Sequence, residues 1–152
     1  MARTKAGIYS LAAMSVAIIA LVWAGTIVGV SGLATPEKFV VPSLSLPIAL
    51  EVGRVTFQVF SKVEWVFAFF LGLSITSVGW RFPAFCWTVL AVVVVLLILQ
   101  AVWLLPVLDA RVSAVIAGVP QQPSIAHVLY VAAEAIKIVG LLVIGGTAIR
   151  AT

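Results

Sequence analysis

Long apolar stretches, interrupted by a few short polar clusters, dominate the chain. Between Lys5 and Glu37 there is no charged residue. A bilayer core is crossed by about 20 apolar residues, so residues 8–33 read as a first, tilted span. Arg3 and Lys5 resemble the basic start of a signal peptide. The apolar stretch behind them exceeds the usual signal core of about 7–15 residues, so an uncleaved anchor is expected. Cleavage near Val30-Ser31-Gly32 is the alternative.

Residues 34–56 read as a connection with short helical character. Thr35-Pro36-Glu37 has the order of an N-cap, an N1 proline and an acidic first turn. A second long helix is expected from about Pro47 to Trp80, its bilayer portion being residues 57–80. Arg81-Phe82-Pro83 supplies a turn, and residues 84–105 form a third span that Pro106 kinks or ends. After the loop Gly118-Val119-Pro120-Gln121-Gln122-Pro123, Ser124 caps a fourth span over residues 124–149. The expected fold is thus all-α: a four-helix integral membrane bundle in a single domain over residues 1–152.

Composition agrees with this picture. The chain is 64% hydrophobic and 9% charged, against roughly 45–50% and 25% in soluble domains. The mean hydropathy is +1.28. A soluble globular fold, a disordered chain and a disulfide scaffold are excluded; the lone Cys86 reads as a small buried hydrophobe. The net charge of +4 comes from scattered residues with no basic run to follow phosphates, so nucleic acid is not an expected partner. The charges orient the chain instead. Four spans put both termini, Arg3, Lys5, Arg81 and Arg150 on one side, which favours an N-in, C-in, multi-pass protein of the cell (inner) membrane.

Gly25-x-x-x-Gly29 in the first span is expected to pack within the bundle, with a dimer seam as the alternative; Gly145-Gly146 in the fourth is a weaker mark of the same kind. Trp65, Trp80, Trp87 and Trp103 read as interfacial belts.

Ionisable groups inside a bilayer are expensive and call for an explanation. His127, Tyr130, Glu134 and Lys137 fall at about 0°, −60°, −20° and −80° around the fourth helix. They therefore share one face, and Glu134 and Lys137 are spaced to pair. The second helix carries Glu51, Arg54, Gln58, Ser61 and Lys62 on one arc, with Glu64 off it; the third contributes Gln100, then Asp109 and Arg111 beyond Pro106. The expected site is a polar pocket between the second, third and fourth helices, open to the outer side. It comprises Glu134, Lys137, His127, Tyr130, Arg111, Asp109, Glu64, Gln100 and Arg54. The competing reading makes the same ion pairs structural glue that fixes helix register.

No phosphate-binding glycine loop, His-Glu-x-x-His pair or Ser/His/Asp set is present, so no catalytic residue, metal or cofactor is expected and the chain is not read as an enzyme. His127 reads as a helix-terminal histidine rather than a metal or haem ligand.

Three stretches also carry a family likeness. They are Trp23-x-Gly25-x-x-x-Gly29 followed by Pro36 and Phe39; Ala49-x-x-x-Gly53-Arg54-x-x-Phe57 followed by Glu64; and Leu105-Pro106-x-Leu108-x-x-Arg111 followed by His127-x-x-Tyr130-x-x-x-Glu134-x-x-Lys137. Together they resemble the transmembrane-protein-205-like family of small four-helix membrane proteins. That resemblance implies a membrane location rather than a reaction. A more distant similarity is to copper-resistance-D-like membrane domains and to the four-helix haem-containing protoporphyrinogen oxidase group. The latter carries a histidine in its first helix, where this sequence has none.

The leading functional expectation is a non-enzymatic membrane protein that binds or passes a small solute or proton through the outward pocket, with Glu134 as the proton-exchanging or cation-binding group tuned by Lys137, and His127 and Tyr130 at the mouth. Two alternatives stand beside it: an accessory subunit of a larger membrane complex, and a haem-linked oxidoreductase formed as a homodimer through His127. The expected partners are the lipid bilayer and, on those alternatives, a larger complex or a second copy.

Overall fold

A computed structural model of the chain describes residues 2–79 and 82–152, with side chains from Tyr9 onward. Trp80 and Arg81, expected at a span end and a turn, lie outside the described residues, as do the side chains of Arg3 and Lys5.

Helix α1 (Ala2–Ile27) runs without interruption into a π-helical segment, Val28–Ala34, and then into α2 (Thr35–Glu37). Helix α3 is Leu46–Val78. Helix α4 (Ala84–Leu99) passes through a second π-helical segment, Gln100–Leu104, into α5 (Leu105–Ile116), and α6 is Ala126–Ile149. No strand occurs among the described residues. Four helices are long and apolar enough to cross a membrane: Tyr9–Glu37, Leu46–Val78, Ala84–Ile116 and Ala126–Ile149.

Pro36 stands at the start of a short helix with Glu37 in its first turn, as expected, and both Pro36 and Pro106 are absorbed into continuous helices for one physical reason. A proline inside a helix has no N–H to donate, and its ring crowds the carbonyl four residues back. Here the turn ahead of each proline widens. Thr35, just before Pro36, donates its N–H to the Val30 carbonyl, and Leu105, just before Pro106, donates to the Gln100 carbonyl, each five residues back. The third span therefore does not end at Pro106 but continues to Ile116. Thr35 does not cap a new helix; its Oγ1 donates back to the Val30 carbonyl at 2.8 Å. Ser124 does serve α6, its Oγ accepting from the Ala126 N–H at 3.2 Å, although the helix itself begins at Ala126.

The spans form a ring. α1 packs between α3 and α6, α6 also packs on α4, and α3 meets α4 and α5. At one end of the bundle the Ser10 hydroxyl of α1 donates to the Thr152 carbonyl at 3.4 Å. Val16, Ala20, Trp23 and Ile27 of α1 meet Leu71 and Ile75 of α3, Cys86, Val93 and Leu97 of α4, and Leu141 and Ile144 of α6 in one continuous core. Outside it, Leu11, Ile18, Phe69, Phe70, Val95 and Val139 are exposed. An apolar exterior of this extent fits a multi-pass membrane protein.

The glycines divide unexpectedly. A Cβ at Gly145 meets Leu21 at 2.9 Å, so this glycine is what lets α1 approach α6. A Cβ at Gly25, Gly29 or Gly32 meets nothing within 4 Å. The Gly-x-x-x-Gly face of the first span is therefore not used for packing inside the bundle; the core-facing stripe of α1 is Val16, Ala20, Trp23 and Ile27 instead.

The two 33-residue helices, Leu46–Val78 and Ala84–Ile116, are each about 50 Å long at 1.5 Å per residue. A hydrocarbon core of about 30 Å does not cover them. Their far ends, opposite the chain termini, pair side by side: Gln58 Nε2 donates to Asp109 at 2.7 Å and Arg54 donates to the Ser113 hydroxyl at 3.0 Å.

Candidate functional site

The bundle centre holds a charged cluster drawn from all four spans. Lys137 of α6 bonds Glu64 of α3, and its ammonium lies 2.9 Å from Oε1 of Glu134, one turn back on its own helix. Trp23 Nε1 of α1 donates to Glu64 Oε1 at 3.1 Å, and its ring stacks on Phe67 with centroids 5.9 Å apart. Gln100 Nε2 donates to Glu134 Oε1 at 2.7 Å and more weakly to the Tyr130 carbonyl at 3.4 Å. Ser31 Oγ donates to the other Glu134 oxygen at 3.2 Å.

Burial here is nearly complete: Glu64 is 1% exposed, Gln100 1%, Glu134 3% and Lys137 0%. Charges so placed persist only when each finds partners. The two uncharged donors to Glu134 come from the π-helical segments, Ser31 from the first and Gln100 from the second. Such segments recur at functional sites, because widening one turn re-aims a side chain. Among the described residues, Oε1 of Gln100 and the hydroxyl of Tyr130 are buried with no close hydrogen-bond partner, the Tyr130 hydroxyl lying toward Glu134.

A second feature, here called the outer cavity, lies toward the end of the bundle opposite Thr152. A cavity of about 270 Å³ is bordered by Lys38, Arg54, Asp109, Arg111 and His127 over an apolar floor that includes Phe57, Leu105 and Leu108. Between cavity and cluster stands an apolar plug of Leu104, Leu105, Ala126 and Tyr130, packed with Phe57 and Leu108. Phe57 touches the Tyr130 ring edge-on, with centroids 5.1 Å apart.

The sequence-predicted residues thus part into two groups. Glu134, Lys137, Glu64 and Gln100 converge, with Tyr130 buried at their outer edge. His127, Arg111, Asp109 and Arg54 do not join them; they line the outer cavity, and His127 is exposed. The single pocket expected from helical faces is therefore two places. Azimuth placed His127 and Glu134 together, but seven residues of α6 separate them by about 10 Å along the axis. The cluster also needs the first span, which the expected pocket left out.

Trp23 and Ser31 are the residues that sequence reasoning missed. A tryptophan in mid-span, away from the interfacial levels that tryptophan favours, needs an acceptor for its indole N–H. Trp65 likewise stands beside Glu64 at the level of the cluster, facing outward and 41% exposed, rather than at a helix end.

No family model, curated protein or solved structure matches this chain. The functional reading therefore rests on the chemistry of these two places.

Proposed function

We propose that this chain is a four-span membrane protein that binds and releases a proton at the Glu64–Lys137–Glu134 cluster, alone or together with a small solute. One observation carries the reading: two carboxylates and a single ammonium share a dry centre. With all three ionised, one negative charge is left over, and an uncompensated charge in such surroundings is strongly unfavourable. One proton held between the two carboxylates balances the site, as in other carboxylate pairs. Tyr130, whose hydroxyl lies toward Glu134 and whose ring meets Phe57 of the outer cavity edge-on, supports approach of that proton from the cavity side.

The reading carries an orientation with it: an inner-membrane protein with both termini inside, as the Lys/Arg distribution favours, and the cavity facing out. It also separates exchange from glue. Glu134→Gln leaves a neutral Glu64–Lys137 pair, and the new amide oxygen still accepts from Gln100 or Ser31. Proteoliposomes loaded with a pH-sensitive dye are expected to lose proton uptake in this variant while it purifies and unfolds like the wild type. A variant that unfolds readily, or one that takes up protons unchanged, makes structural glue the better account.

The open face at Gly25, Gly29 and Gly32 favours a second reading, in which a partner helix of a larger complex or a second copy packs there. Gentle detergent extraction distinguishes the two: a stoichiometric larger subunit supports the accessory role, and a lone chain counts against it. An absorbance spectrum of the same preparation tests the haem-linked homodimer, which requires a Soret band.

A further inference from the structure

The outer cavity has a chemistry of its own, independent of proton exchange in the cluster. Its walls are largely apolar, with Leu50, Phe57, Leu105, Leu108, Val112 and Val115 among them. Three cations, Lys38, Arg54 and Arg111, face one carboxylate, Asp109. Most of these groups are already engaged. Arg54 donates to Ser113 at 3.0 Å and Glu51 at 3.3 Å, Arg111 to the Gln122 carbonyl at 2.6 Å, and Asp109 accepts from Gln58.

Lys38 differs. It makes no ion pair among the described residues. Its ammonium rests 5.1 Å from the Phe39 ring centre and 5.9 Å from that of Phe57. Gly53 makes this position available, since a Cβ there would collide with the Lys38 ammonium. Burial holds Lys38 below the ordinary lysine range, as expected of a cation without an anion.

We propose that this cavity binds an amphiphilic monoanion, a carboxylate or phosphodiester head on a short apolar chain, with Lys38 as the cation for the head. A wholly polar anion leaves the floor unfilled, a neutral apolar molecule leaves Lys38 unanswered, and a cation meets three like charges. The volume, near the lower end of the roughly 300–1,000 Å³ of small-molecule sites, suits a short chain.

The test is equilibrium binding of radiolabelled decanoate to the protein in phosphatidylcholine nanodiscs, measured over empty discs. Saturable binding is expected. Lys38→Met should weaken it about tenfold, the effect of losing one charge-assisted contact. Lys38→Arg should retain most of it, and Gly53→Ala, which displaces the ammonium while keeping the lysine, should weaken it several-fold. In the wild type, decanol should compete poorly with decanoate; this comparison stands even where Lys38→Met fails to fold. Decanoate binding is read without proton uptake, so failure of the proton reading leaves this one intact. Phosphatidylglycerol in the disc distinguishes the sources: displacement of decanoate identifies a lipid head as occupant, and its absence a free amphiphile. No saturable binding, equal affinity in Lys38→Met, or equal competition by decanol overturns the proposal.

Discussion

The central cluster and the outer cavity use the same residue types to opposite ends. In the cluster, Glu64, Glu134, Lys137 and Gln100 are closed off and bonded chiefly to one another. In the cavity, Lys38 is half-buried beside empty volume and has no ion-pair partner among the described residues. On the proposed reading, a closed-off site fixes its own charge count and so binds a proton, and an open site with a spare cation binds an anion brought from outside. Depth along α6, more than which face a residue occupies, decides to which place it belongs.

The sharpest way to break this contrast is to remove the cluster's only ammonium. Lys137→Met leaves two buried carboxylates without a cation, and a loss of about 3–5 kcal/mol is expected from breaking a buried pair. Unfolding in mixed micelles measures it. Next in size is Trp23→Phe, which keeps a ring against Phe67 but removes the donor to Glu64. A loss of about 1–3 kcal/mol is expected by the same unfolding assay.

At the cavity the effect is on binding. The other ionisable groups lining it are Arg54 of α3, Asp109 and Arg111 of α5, and His127 of α6. Lys38 must be charged to hold an anion. Decanoate binding should therefore be intact at neutral pH and fall as pH rises through a value below the ordinary 10.5 of lysine. The smallest effect belongs to the rim: Glu51→Gln breaks the Arg54–Glu51 pair, whose glutamate is 58% exposed, and is expected to change stability by about 0–1 kcal/mol.

The contrast also shows what sequence can convey. The four spans and the Glu134–Lys137 spacing were legible because lipid demands long apolar runs and helical geometry fixes which neighbours meet. Two features depended on tertiary structure. Pro106 reads as a stop until a π-helical turn absorbs its missing N–H, and that same turn carries Gln100. Ser31 sits in the matching turn before Pro36 and looks like any small residue of an apolar helix. Trp23 was visible but stood inside the glycine pattern Trp23-x-Gly25-x-x-x-Gly29, whose glycines face away from the bundle while the tryptophan faces in. Periodicity alone does not say which stripe of a uniformly apolar helix is the inner one.

The central claim, one proton held between two buried carboxylates beside a single lysine, is most directly tested by infrared spectroscopy of the protein in lipid at neutral pH. The account predicts a protonated-carboxyl band in the wild type that disappears in Glu134→Gln and in Glu64→Gln, each of which leaves a balanced one-to-one pair. A wild-type spectrum showing only ionised carboxylates at neutral pH, or a band that survives in both variants, would contradict it.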